Sequence, residues 1–321
     1  MIFEKQIVNL YKKSMLTRHD PDGRLFYFSR EDFPGLECEE TSFIGDKGQR
    51  LAAYTYYRGE RRLDKLIMFE HGMGCGHAAY MQEINKITEH GYTVFTYDHT
   101  GTRCSEGESI GGFSQSLSDL DRAVKFVRAM PEYKDSEISV IGHSWGGFST
   151  MNISAYHPDI KHAVAIAGFI SPKDIQAQFL SGLMKPYRKA VFKIEADAFP
   201  EYVHTDARTT LKSTKTKTLI IHSTDDKTCL YKNHFSEISR AASDNENVEF
   251  LTVSGKGHNP NYTEDAVKYK DACMKELVRK SKKKELSTDE EKAKFVASCD
   301  WVRMTKQDDD VWNKIFAFIE N

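Results

Sequence analysis

The sequence has few cysteines, and none of them lies in a pattern typical of a metal site or a disulfide framework. Six cysteines are spread over 321 residues, and no two of them form a C-x-x-C pair. A chain of this length does not need disulfides to hold its fold together. We therefore expect reduced thiols and a cytoplasmic protein.

The sequence also lacks a long apolar run and an excess of charge of one sign. No stretch approaches the roughly 18 apolar residues of a membrane-spanning helix. Polar side chains interrupt residues 1–11, which leaves no apolar segment typical of a secretory signal. The formal net charge is −2, whereas a dedicated nucleic-acid binder needs a strong basic excess. We expect no membrane span, no secretory signal and no nucleic-acid partner.

Signals for a cofactor are weak. The H-E-x-x-H motif and clustered Cys and His ligands are absent, so we predict no metal and no organic cofactor. Gly72 and Gly74 follow a predicted strand, and Asp98 ends the next strand, as in a dinucleotide-binding unit. The third glycine of G-x-G-x-x-G would fall on His77, and two antiparallel strands precede the segment. These departures argue against the dinucleotide alternative.

The sequence does contain enough apolar residues for a packed core, and its predicted strands and helices alternate. Apolar residues make up 40% of the chain and charged residues 29%, which is typical of a globular protein. Strands are predicted to alternate with helices, and the first two strands form a hairpin. This order predicts an α/β fold with a mostly parallel sheet and helices on both faces. The predicted strands are 36–44, 51–57, 66–69, 92–97, 138–141, 162–167, 217–222 and 248–253.

Two segments interrupt the alternation. Residues 169–214 carry many large apolar side chains among charges, and we predict two or three helices there, outside the sheet. Residues 262–306 are charged and helical, and Ser287 with Glu290 predicts a capping box that restarts a helix.

The strongest chemical signal is Gly142-His143-Ser144-Trp145-Gly146, which follows an apolar strand and precedes a predicted helix. This is the G-x-S-x-G nucleophile elbow in its required context. A serine hydroxyl is a weak nucleophile unless a base lies beside it and N–H groups receive the developing oxyanion. We therefore predict that Ser144 is a catalytic nucleophile.

Partners for this serine follow later strands. His258 lies in a glycine-rich loop after the last strand, where an imidazole can act as the base. The orienting acid is Asp225 or Asp226, and the order serine, acid, histidine is the one expected. We favour Asp226, because the acid usually lies four residues beyond the histidine that leads such a loop. Asp225 would then be a turn residue that accepts local N–H groups.

An oxyanion hole needs two backbone donors. The first is predicted to be the amide of Trp145, at the start of the elbow helix, where N–H groups lack partners. The second is predicted to be the amide of Met73, in the glycine-rich loop after the third strand. The side chains of both residues need no catalytic role, and His71 is expected to tie this loop together.

The chain resembles the α/β-hydrolase superfamily, and within it the branch of serine aminopeptidases and monoacylglycerol-lipase-like enzymes. The pattern D-x-x-G-x-G-x-S-x-G of this branch begins at Asp98, with Arg103 where a glycine is usual. That arginine either faces solvent or reaches into the site. The resemblance covers roughly residues 37–260 and the closing helix. It implies one hydrolase domain over residues 1–321, with a small helical cap at 169–214 and a helical insertion at 262–306.

This resemblance implies a serine hydrolase with a small-molecule acyl substrate. We expect it to cleave a carboxylic ester of a small to medium acyl group through an acyl-enzyme on Ser144. A serine peptidase, an amidase or a thioesterase on the same triad is the alternative, followed by a non-catalytic ligand-binding protein of this fold. Phe179, Leu183 and Phe192 of the cap are predicted to line the acyl pocket.

Overall fold

A computed structural model describes residues 3–74 and 76–321, and these residues form one sheet of eight strands. The spatial order is β1-β2-β4-β3-β5-β6-β7-β8. The strands are β1 (Leu36–Ile44), β2 (Arg50–Arg58), β3 (Lys65–Glu70), β4 (Thr93–Tyr97), β5 (Glu137–His143), β6 (His162–Ile166), β7 (Lys217–Ser223) and β8 (Val248–Val253). β1 pairs antiparallel with β2, and β2 with β4, while all later pairs are parallel. The predicted α/β fold with a mostly parallel sheet is confirmed.

Helices connect and cover the strands. They are α1 (Glu4–Met15), α2 (Met81–Glu89), α3 (Gln115–Ala129), α4 (Trp145–Asn152), α5 (Pro172–Phe179), α6 (Arg188–Ala198), α7 (Ala207–Ser213), α8 (Phe235–Ala241), α9 (Glu264–Lys282), α10 (Asp289–Ala297), α11 (Trp301–Met304) and α12 (Asp309–Glu320). Short 3-10 turns precede α2 and α6 and follow α4. α8 links β7 to β8.

The central strands are apolar on both faces because helices cover both faces. On β3, Leu66 and Met68 pack into the core on the side of α3. The alternating residues Ile67 and Phe69 pack on the opposite side, against α2 and α12. Successive side chains of a strand point to opposite faces, so a strand buried on both sides reads as one continuous apolar run.

The predicted cap segment folds into α5, α6 and α7, and it packs against neighbouring helices. Val191 of α6 lies in an apolar cluster with Tyr11 of α1. The carboxylate of Glu195 is buried and accepts the backbone N–H of Ser114, next to the start of α3, at 2.5 Å. Tyr202 donates to Asp121 of α3 at 3.0 Å. These contacts dock the segment along α1 and α3.

The predicted insertion folds into α9, α10 and α11. Its ends lie side by side, since Tyr262 and Gln307 form a β-bridge. A capping box is present before α10, but it uses Thr288 with Glu291. The predicted pair was one residue out of register, because Ser287 and Thr288 are both good capping residues and the sequence alone does not separate them.

In the described ranges, no helix combines the length and the apolar character needed to cross a membrane.

Candidate active site

The active-site candidate begins at the sharp turn between β5 and α4. β5 ends at His143 and α4 begins at Trp145, so Ser144 alone joins the two elements. Its backbone has φ 56° and ψ −108°, in the left-handed half of conformational space. A residue other than glycine rarely adopts this conformation, and the surrounding packing must hold it there. The side chain is thereby presented at the end of the strand.

Glycines allow the turn to close. A Cβ atom on Gly142 would overlap the hydroxyl of Thr150 and the carbonyl group of Gly146. One on Gly146 would overlap the carbonyl oxygen of Glu70, at the end of the neighbouring strand β3. The elbow therefore needs hydrogen at both positions for reasons of space.

The structure brings Ser144, His258 and Asp226 together. The Oγ of Ser144 lies 2.8 Å from Nε2 of His258. The Nδ1 of His258 lies 2.8 Å from Oδ2 of Asp226. The parallel strands β5, β7 and β8 end at one edge of the sheet, and each of these residues follows one of those ends. The sequence predicts that the three side chains lie close together, because each of them follows a predicted strand.

The carboxylate of Asp226 is buried and well supplied with donors. Its Oδ1 accepts the backbone N–H groups of Thr228 at 2.7 Å and of Cys229 at 3.0 Å. Burial acts to raise the pKa of Asp226, but hydrogen bonds from His222 and His258 outweigh it and hold the pKa below its usual range. An ionised carboxylate only accepts, so Nδ1 of His258 donates to it. That leaves Nε2 free to accept the Ser144 hydroxyl.

Asp225 has a different environment from its neighbour. It is exposed, and its Oδ1 accepts the hydroxyl of Ser223 at 2.5 Å and the backbone N–H of Gly257 at 3.3 Å. One contact is to a side-chain hydroxyl and the other to loop backbone, and neither is to the imidazole of His258. The geometry therefore favours Asp226 over Asp225 as the partner of His258.

The residues predicted to supply the oxyanion donors both lie near Ser144. Trp145 is the first residue of α4, so its backbone N–H has no partner within the helix. Met73 lines the same cavity as Ser144. β3 pairs with β5 up to Glu70 and Gly142, which places the loop of Met73 next to the elbow. The Trp145 side chain is buried elsewhere and donates to the carbonyl of Phe113 at 2.7 Å.

A chain of hydrogen bonds that the sequence did not reveal links these loops through His143. Nε2 of His143 donates to the carbonyl oxygen of His258 at 2.7 Å, since a carbonyl only accepts. Its Nδ1 then accepts the hydroxyl of Tyr80 at 2.9 Å, and Tyr80 accepts the backbone N–H of Gly72 at 3.0 Å. Burial lowers the pKa of His143 to about 3, so the ring stays neutral and keeps this pattern. These hydrogen bonds join the loop of Met73 to the loop of His258.

The cavity at Ser144 has a volume of 210 Å³. This is smaller than the roughly 300–1,000 Å³ of pockets that hold drug-sized ligands. Besides the residues already named, Lys270 of α9 lines it. No sequence signal pointed to this lysine, because it lies in the segment read as a charged insertion. The lining residues are Gly72, Met73, Ala79, Tyr80, His143, Ser144, His258, Asn259, Tyr262 and Lys270.

The prediction that Phe179, Leu183 and Phe192 line the acyl pocket needs correction. The side chain of Leu183 is 94% exposed, and Phe192 lines a separate hollow with Val203 and His204. Phe179 is 49% exposed and stacks on Phe113 at 6.2 Å. None of the three is among the lining residues of the Ser144 cavity. The segment that carries them docks along α1 and α3.

The structure also places Arg103 and His71. Arg103 has φ 43°, a left-handed conformation that explains why glycine is usual there, and its guanidinium lies 5.7 Å from the ring of Tyr27. Its side chain lies outside the lining of the Ser144 cavity. The Nδ1 of His71 donates to the carbonyl oxygen of Gly72 at 2.7 Å, which ties the loop as expected.

The dinucleotide alternative and a metal centre find no support in the geometry. Asp98 is fully buried and accepts both the backbone N–H and the ring Nδ1 of His77, at 2.9 and 2.8 Å. It is therefore not presented to a ribose. Across the described ranges, no three His, Cys, Asp or Glu side chains are grouped so that they could hold a metal ion.

Comparison with known proteins agrees with this architecture. Residues 61–207 match the family of serine aminopeptidases, S33. The sequence matches none of the curated proteins with which it was compared.

Solved structures with the same fold include an esterase, Pf2001, from Pyrococcus furiosus. It has a TM-score of 0.60 and 18% identity, over 83% of this chain and 97% of that chain. Acetyl xylan esterase 1 from Thermoanaerobacterium sp. JW/SL YS485 has a TM-score of 0.51 and 18% identity, over 86% and 93%. The α/β-hydrolase GrgF from Penicillium sp. sh18 has 0.51 and 17%, over 69% and 91%. These similarities establish the fold.

The space around the elbow leads to a stability prediction. Gly146→Ala is expected to lower the free energy of unfolding by about 1–3 kcal/mol, because the added methyl group overlaps backbone that cannot move aside. Gly45→Ala is the control, since its methyl group would meet only the flexible end of the Gln49 side chain. Urea denaturation of both variants measures the difference. Equal stabilities would show that the elbow has more room than the structure gives it.

Proposed function

We propose that this α/β-hydrolase is a serine esterase that cleaves a carboxylic ester of a small to medium acyl group through an acyl-enzyme on Ser144. The observation that carries the proposal is the unbroken contact from Ser144 to His258 to Asp226, with both distances at 2.8 Å. A nucleophile, a base and a group that orients the base stand in the order that acyl transfer requires.

In the proposed first half-reaction, Oγ of Ser144 attacks the ester carbonyl carbon while its proton passes to Nε2 of His258. The carbonyl oxygen becomes an oxyanion, which the backbone N–H groups of Trp145 and Met73 receive. As the tetrahedral intermediate collapses, the bond to the alcohol oxygen breaks and the leaving alkoxide takes the proton from His258. An acyl ester on Ser144 remains. The negative charge of Asp226 stabilises the imidazolium that forms in between.

In the second half-reaction, a water molecule replaces the alcohol. His258 takes a proton from this water, and the resulting hydroxide attacks the acyl carbon of the Ser144 ester. When the second tetrahedral intermediate collapses, Oγ of Ser144 leaves and recovers its proton from His258. The products are one carboxylic acid and one alcohol, and the enzyme returns to its starting state.

The cavity supports an ester over an aminopeptidase substrate. Its volume of 210 Å³ suits a small acyl group. Lys270 adds a positive charge to the lining, and this charge opposes the α-ammonium group that an aminopeptidase must bind. A non-catalytic role is disfavoured because all three triad side chains are present and in hydrogen-bond contact. Amidase and thioesterase activity use the same steps and are separated by assay.

The proposal also covers the domain organisation and the cellular location of the enzyme. We propose one domain spanning the chain, supported by α12, which packs through Trp312 and Ile315 onto the sheet formed by residues 36–253. A cytoplasmic location is supported by the cysteines of the described ranges, Cys38, Cys104, Cys229, Cys273 and Cys299, all of which are free thiols.

The proposed nucleophile is tested by Ser144→Ala. Hydrolysis of p-nitrophenyl acetate is expected to fall by about 10³-fold or more, because the triad acts as a unit. The midpoint of thermal unfolding should barely change, since a partly exposed hydroxyl contributes little packing. Ser139→Ala, on the same strand but away from the cavity, is the control and should retain activity. A Ser144→Ala enzyme with a tenth of the wild-type rate would contradict the assignment.

The adjacent aspartates give a ranked prediction. Asp226→Asn is expected to lower kcat by about 10² or more, because the amide cannot hold His258 in the required tautomer. Asp225→Asn is the matched control and is expected to cost much less, since Asp225 contacts the hydroxyl of Ser223 and the N–H of Gly257 but not the imidazole. Steady-state kinetics on the same ester measures both. The reverse ranking would mean that Asp225 is the acid.

A further inference from the structure

Lys270 is brought to Ser144 by the way α9 leaves the loop of His258. The loop passes from His258 to Asn261 and then enters α9, which is capped by Thr263. Its end is fixed to the return point of the insertion, because Asp308 donates its backbone N–H to the carbonyl of Asn261 at 2.8 Å. The start of α9 is thereby held next to the loop of His258. Lys270 lies in the second turn and lines the cavity together with Ser144.

The ammonium group of Lys270 has polar neighbours but no ion-pair partner. Its Nζ donates to Oδ1 of Asn259 at 2.6 Å and lies 5.5 Å from the ring centre of Tyr262. Among the described residues, no carboxylate lies within 4.0 Å of it. Other lysines of the same region are paired, such as Lys256 with Asp308 at 2.6 Å. A partly buried cation without a counter-ion favours an anion at that place.

Glu83 and Asp271 are the carboxyl groups whose charges act on this cation, and neither forms an ion pair with it. Burial lowers the pKa of Lys270, while the charges of Glu83 and Asp271 act in the opposite sense. Glu83 is itself buried, and this burial raises its pKa to about 7. Asp271 is exposed, so solvent screens its charge.

We propose that Lys270 is a specificity-determining residue that binds a carboxylate on the ester substrate, a few bonds away from the scissile carbonyl. This inference rests on the proposed esterase function and narrows its substrate class to small anionic esters. Ser144 and Lys270 line one cavity of 210 Å³. A substrate whose carbonyl lies at Ser144 therefore places a carboxylate at Lys270 only when the two groups are close together.

Two pairs of esters of matched shape test the charge and its side of the ester bond. On the acyl side, monomethyl succinate is compared with methyl 4-methylpentanoate, in which an isopropyl group replaces the carboxylate. On the alcohol side, acetoxyacetate is compared with isobutyl acetate in the same way. The wild-type enzyme is expected to prefer the anionic member of one pair in kcat/KM, and that pair identifies the side.

Lys270→Met is expected to lower kcat/KM for the preferred anionic ester by about 10- to 100-fold, as the loss of a charge-assisted hydrogen bond implies. The neutral esters should change little. Lys270→Arg should restore most of the preference. Lys268→Met is the matched control: it lies on the same helix, pairs with Glu264 at 3.4 Å and is absent from the cavity lining.

The outcomes separate this proposal from the esterase proposal. A wild-type enzyme that hydrolyses the neutral esters without preferring either anionic ester overturns the role of Lys270 and leaves the esterase function in place. Equal losses on charged and neutral esters in Lys270→Met also overturn it, because they indicate a general effect on the site. If the wild-type enzyme hydrolyses none of the four esters, the esterase proposal and the carboxylate proposal both fail.

Discussion

The tight turn at Ser144 is the constraint on which the rest of the site depends. A strand passes into a helix through one residue with positive φ, and the turn closes only because Gly142 and Gly146 have no side chains. This geometry fixes where the hydroxyl stands and leaves the first amide of α4 without a partner beside it. The strain at one residue is held by a buried parallel sheet on one side and a buried helix on the other.

Hydrogen bonds between loops then hold the partners of Ser144 at their distances. His143, the residue before the nucleophile, binds the carbonyl of His258 and the hydroxyl of Tyr80, which in turn binds Gly72. The loop of His258 and the loop of Met73 are therefore both linked to the elbow by hydrogen bonds. The ion pair of Lys256 with Asp308 at 2.6 Å also ties the loop of His258 to the start of α12. A site whose donors and acceptors are held in place loses little free energy to reorganisation during the reaction.

Sequence reasoning succeeded where a local pattern has one structural meaning. The strands of the sheet were predicted within a few residues, because short runs rich in apolar and β-branched residues and bounded by turn residues favour strands over helices. The meeting of Ser144, His258 and Asp226 followed from motif order along parallel strands. The same reasoning failed where packing between distant segments decides the outcome. Phe192 and Leu183 look like pocket residues in the sequence, but Leu183 is exposed and Phe192 lines a separate hollow, in a segment that packs on α1 and α3. Lys270 gave no signal, because only the tertiary path of α9 brings it to Ser144.

The most direct test of this account is labelling with a fluorophosphonate, followed by peptide mass spectrometry to locate the modified residue. An activated serine displaces the leaving group on phosphorus and stays covalently attached, whereas ordinary surface serines do not react at a comparable rate. The account predicts one label per chain, on Ser144, and a labelling rate at least ~10²-fold lower in His258→Ala, where the base is missing. A folded protein that takes no label, or a label on another residue, would contradict the central role assigned to Ser144.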